Sequence, residues 1–138
     1  MPAETEHEHA SNDLLPIEEV YHFYADVNRP GRWVIRSEAE FRETWRLVPP
    51  EIAAPVVDFE REMLVCVTQG ISGGSWPRLS FDGYRVEAGA VRVVVRITGP
   101  PLGYGSDSAG IFRALLVGSL PRHEGEVEFV DRFVRAER

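Results

Sequence analysis

Four histidines, one cysteine and two rows of alternating carboxylates are the groups in this chain suited to binding metal or moving protons. His7 and His9 alternate with Glu6 and Glu8, so in extended backbone both imidazoles turn to one side and would clasp a transition metal. With acids on every side, a solvated acidic tail accounts for the pattern better, and metal capture by His7 and His9 is the weaker option. His22 and His123 have no spacing that links them to each other or to the tail, and no zinc signature is present. Asp58, Glu60 and Glu62 also alternate, placing them on one side of an extended segment. Paired carboxylates divide acid and base roles only where their surroundings separate their pKa values. Arg61, standing among these three, favours ordinary ionised acids that face solvent. A second row, Glu124, Glu126 and Glu128, lies opposite Val127 and Phe129, and ion pairs to Arg92 and Arg96 on a neighbouring strand explain it. Ser75 follows Gly73-Gly74 but lacks the following glycine and the partnered histidine of a nucleophile elbow. The residue types thus predict no catalytic centre, no metal site and no cofactor.

Composition removes further chemistries. All 15 residues counted as Lys+Arg are arginine, so no lysine is present to form a Schiff base or to reach a phosphate from a P-loop. Cys66 sits inside the apolar run Met63 to Thr68, which predicts a small buried hydrophobe rather than a reactive thiolate. The net charge is -7, and Glu4, Glu6, Glu8, Asp13, Glu18, Glu19 and Asp26 all precede the first arginine, Arg29. Beyond that point acids and bases balance, which leaves no basic footprint for nucleic acid. No apolar run reaches the length of a membrane span. The acidic start lacks the cationic and apolar parts of a secretion signal, so the default expectation is a cytoplasmic chain.

The elements that must position these groups follow from periodicity. Residues 1–14 are acidic and aperiodic and read as a disordered leader; residues 15–138 read as one domain. Tyr21, Phe23, Ala25 and Val27 alternate as one face of a first strand. Pro30-Gly31 suits the centre of a type II turn into a second strand through Trp33-Val34-Ile35. Ser37-Glu38-Ala39-Glu40 is a capping box, Phe41, Trp45 and Val48 share one helical face, and Pro49-Pro50 ends the helix, predicted over Glu38 to Leu47. The buried strand Met63 to Thr68 follows, and three glycines in Gly70 to Ser75 call for positive φ. The alternation of Leu79 and Phe81 slips at Asp82-Gly83, which predicts a bulge, with reversal at Glu87-Ala88-Gly89-Ala90. Val91, Val93, Val95 and Ile97 share one face of the next strand, and Ile111 to Gly118 and Glu126 to Val134 supply the last two. The expected architecture is α+β: a mainly antiparallel sheet of about seven strands, its neighbours joined by short turns, with one short helix after the second strand.

Asp58-Phe59 leading into the apolar strand, then Gly70, Gly73-Gly74 and an aromatic, then two strands ending near Pro100, resembles the C-terminal domain family of the protease complex subunit PrcB. Ser37-Glu38-Ala39-Glu40-Phe41 followed by Trp45 is similar to that family's short helix, so the resemblance spans roughly Val34 to Ile97. Two departures stand out: Ser75 intervenes before Trp76-Pro77, and Ser119-Leu120-Pro121-Arg122 lacks the family's proline-aromatic pair. The resemblance implies a non-catalytic domain that supports a partner protein, a protease in the founding case. Aromatics displayed on loops serve as anchors, and the expected partner-binding residues are Gly73, Gly74, Trp76 and Tyr104, the last inside the aperiodic loop Gly99 to Gly110. The alternative from a different class is a small-molecule binding domain or enzyme with a pocket near Trp76, Tyr84 and Arg96.

Overall fold

The computed structural model describes residues 13–27, 29–73, 76–103 and 111–137. The elements are β1 (Glu18–Tyr24), β2 (Pro30–Ile35), α1 (Glu38–Trp45), β3 (Glu62–Gly73), β4 (Arg78–Glu87), β5 (Ala90–Gly99), β6 (Ile111–Pro121) and β7 (Val127–Arg135). Strands dominate the described residues, so the fold is mostly β, with one eight-residue helix among those residues. The seven strands do not form the single sheet expected from their spacing. They divide into a four-stranded sheet, ordered β1-β6-β3-β2, and a three-stranded sheet, ordered β4-β5-β7.

Alternation along β3 explains the layering. Met63, Val65 and Val67 join the core between the two sheets, with Tyr84, Val91, Val93, Val95 and Ile97. Leu64 and Cys66 turn the opposite way and pack with Phe41, Val48, Leu115 and Val117 beneath α1. The four-stranded sheet is covered on both faces, which is why β3 reads as an unbroken apolar run. Burial pushes the Cys66 thiol far above its ordinary range, as a small core hydrophobe requires.

α1 begins as the capping box predicts: the Glu40 N–H donates to Ser37 Oγ at 3.2 Å. Glu40 reaches one residue further back than the motif requires, accepting from the Arg36 N–H at 2.9 Å. The bulge is also where the phase slip put it, between Phe81 and Gly83, and Gly83 holds φ 138° because the Leu15 carbonyl occupies the space of a side chain. Ala88 and Gly89, both at positive φ, close the β4–β5 hairpin.

Pairing is mainly antiparallel, as expected, and four finer expectations are corrected. Pro30-Gly31 is not a turn: it opens β2, with Pro30 opposite Gln69 and Gly31 opposite Thr68, and proline is tolerated because β2 is an edge strand. Neighbours in sequence are seldom neighbours in the sheets, since β1 pairs β6 and β2 reaches β3 only through α1. The second sheet is mixed: β5 and β7 run parallel because the chain leaves β5, reverses into β6 in the other sheet, and reverses again on its return. Asp58 to Arg61 is likewise a turn rather than extended backbone, with Asp58 accepting from the Glu60 N–H at 3.1 Å.

Candidate interaction surface

Where β3, β4, β5 and β7 meet at one end of the sandwich, the sheets part into an open groove of about 810 Å³. Pro77 enters from the start of β4, Ile97 from β5, Leu102 from the segment after it and Phe133 from β7, while Gln69 and Arg135 add polar groups. Phe133 lies beside Ile97 in the parallel register and so points to the inner side of the three-stranded sheet, yet it is 72% exposed. Leu102, carried out of the core by Pro100-Pro101, is 64% exposed. Large apolar side chains so placed around a concave surface are the usual mark of a recognition site.

The residues expected at the site fall as follows. Gly73 ends β3 opposite Ile111. Trp76 precedes Pro77, to which it is joined by a cis peptide, and its ring stacks beneath the Arg78 guanidinium at 4.1 Å. Both Gly73 and Trp76 therefore stand at the groove end of the fold. Gly74 and Tyr104 lie outside the described residues, as do His7 and His9. Tyr84 and Arg96 do not converge with Trp76 into the pocket of the alternative reading. Tyr84 is buried between the sheets opposite Val93, whereas Arg96 projects from the outer face of the same sheet. Alternation along β5 forces that separation, because Val93 and Arg96 differ by an odd number of residues.

Arg96 meets Asp82 at 2.7 Å, and Arg132 of β7 meets the other Asp82 oxygen at 2.8 Å. Asp82 is only 6% exposed although it lies on the solvent side, because the bulge lays it under both guanidiniums. Of the pairs expected between the carboxylate row and Arg92 and Arg96, Arg92 meets Glu128 at 3.4 Å whereas Arg96 goes to Asp82, and Arg122 holds Glu124 below the usual carboxylate range by hydrogen bonding. These arrangements are structural ion pairs on an exposed sheet. Among the described residues no group of three His, Cys, Asp or Glu side chains is placed to hold a metal ion. Among them also, no helix is long and apolar enough to cross a membrane.

No family model, curated protein or solved structure matches this chain. The groove was only half legible beforehand. The loop from Gly99 was marked by its lack of periodicity, but Phe133, in phase with Val127 and Phe129, carries no local sign that sets it apart from a core position. Nothing local to β7 shows that Phe133 is left exposed.

Proposed function

We propose that this protein is a non-catalytic interaction domain that seats an apolar segment of a partner protein in the groove between Pro77, Leu102 and Phe133. The observation that carries the reading is the exposure of Phe133 and Leu102 on the two sides of one concave surface. A phenylalanine kept in water forgoes about 1.5–3 kcal/mol of burial, which a bound apolar segment recovers. Gly73 and Trp76 border the same end, consistent with their place in the expected footprint. The resemblance of Val34 to Ile97 to the PrcB C-terminal family directs the choice of partner toward a protease or another assembly subunit.

The test is affinity capture from the native source by wild-type protein, Phe133→Asp and Trp76→Ala, with mass spectrometry of what is retained. Phe133 is already solvated, so its replacement leaves the fold intact by circular dichroism. A partner held by wild type and lost from Phe133→Asp supports the groove. A partner retained equally by both variants refutes it.

A further inference from the structure

β7 forms the outer edge of the three-stranded sheet. The Val91 N–H donates to the Glu126 carbonyl at 2.8 Å, and the Ala136 N–H donates to the Gly99 carbonyl at 3.0 Å. The β5–β7 register between these points runs without a shift. Even-numbered residues of β7 therefore turn their backbone groups toward β5. Val127, Phe129, Asp131 and Phe133 turn theirs to the open edge. Among the described residues no strand pairs with this nine-residue edge, and such an edge is a template for another strand.

We propose that two copies of this chain associate through antiparallel pairing of β7 with β7, with the two-fold axis at Val130, joining the two three-stranded sheets into one of six strands. Backbone and burial fit this arrangement, and charge chooses its register. An axis at Val130 sets Phe129 opposite Asp131 of the second copy and Val127 opposite Phe133. Those are the residues whose backbone groups are free to exchange hydrogen bonds. The same register puts Glu128 opposite Arg132 of the second copy on the solvent face, twice by symmetry, and no other two-fold register does so. An axis at Asp131 would face two aspartates, and one at Arg132 two arginines, arrangements that like-charge repulsion disfavours. Finally, Val130 is 40% exposed at the centre of the edge, and the axis buries it against its own copy. Glu128 already pairs with Arg92, and Arg132 with Asp82, so each new pair would extend an existing one. Phe133 belongs to both surfaces, whereas Val130 and Glu128 do not line the groove, so variants at Val130 test this interface apart from the proposed function.

At a position on the axis the two copies form a non-hydrogen-bonded antiparallel pair, with Cα atoms about 4.5 Å apart, inside the range a disulfide spans. Full-length Val130→Cys, oxidised with copper phenanthroline, is therefore expected to run as a covalent dimer on a non-reducing gel. Buried Cys66 leaves wild type uncrosslinked under the same treatment. Wild-type protein in sedimentation equilibrium is expected at twice the 15.6 kDa of one chain. Val130→Glu, which faces two carboxylates across the axis, should weaken association by roughly tenfold or more while the circular dichroism spectrum is unchanged. A wild-type mass of one chain at millimolar concentration, a dimer indifferent to Val130→Glu, or a Val130→Cys protein that does not cross-link each overturns the proposal.

Discussion

Gly118→Ala tests the packing of the two sheets on each other. Gly118 lies in β6 opposite Val65 and faces the three-stranded sheet. A Cβ built there would stand 2.4 Å from Ile17 Cγ2 and 2.6 Å from Phe81 Cε2. Both distances are far below van der Waals contact. Neither neighbour yields cheaply: the methyl belongs to a β-branched chain stiff at χ1, and the ring is packed against the core that includes Leu79 and Tyr84. Overpacking of this kind costs about 1–3 kcal/mol. Losing a glycine from the unfolded chain returns about 0.4–1 kcal/mol. The expected net loss is about 1–2 kcal/mol, read as a fall in melting temperature of about 4–8 °C for a chain of this size. The assay is urea denaturation followed by tryptophan fluorescence, with the midpoint lowered and the slope unchanged. Adding Ile17→Ala to Gly118→Ala should recover part of the loss, although Ile17→Ala alone destabilises. A midpoint equal to or above wild type in Gly118→Ala, or a double variant that simply sums the two losses, refutes the claim that Ile17 and Phe81 occupy the space of a side chain at Gly118.

Other perturbations reach the ion pairs and the core. Asp82→Asn removes the carboxylate that two arginines share, and since Arg96 is half exposed the cost is discounted to about 1–2 kcal/mol. In a double-mutant cycle with Arg96→Met by thermal melting, the two losses should be less than additive, and strict additivity would show that the pair contributes nothing. Cys66 should resist a disulfide reagent such as DTNB in native buffer and react on unfolding, because its thiol is buried and held protonated. The sign of the pH effect follows: the folded chain binds a proton that the unfolded chain releases, so stability falls as pH rises above the unfolded thiol's value of about 8.5. Cys66→Val should flatten that alkaline decline, and an identical decline in both proteins would assign it to other groups.

Elements whose signals are local were legible along the chain. Ser37 and Glu40 cap a helix through atoms three residues apart, and Pro49-Pro50 forbids its continuation whatever the rest of the fold does. The slip at Asp82-Gly83 marked a bulge because side-chain alternation records backbone phase directly. Pro30-Gly31 misled for the complementary reason. Its turn propensity is a weak local preference, and pairing six residues of β2 with β3 overrode it. At the candidate site, Trp76 and Gly73 were visible as a break in the strand pattern. Phe133 was not, since its period matches a core position.

The sequence by itself determined where most of the strands lie, that α1 starts at the Ser37 cap and ends before Pro49-Pro50, that β3 is buried, and that Cys66 belongs to the core. All of these follow from periodicity and chemistry within a few residues. Tertiary structure alone decided that seven strands split into two sheets, that β7 runs parallel to β5, and that Asp82 is covered by Arg96 and Arg132. It alone decided also that one end of the sandwich is left open around Phe133. The physical reason is that an alternating strand states only that one of its faces seeks apolar cover. Which strand supplies the cover, and where the cover ends, is settled by the competition of all the strands for the same core.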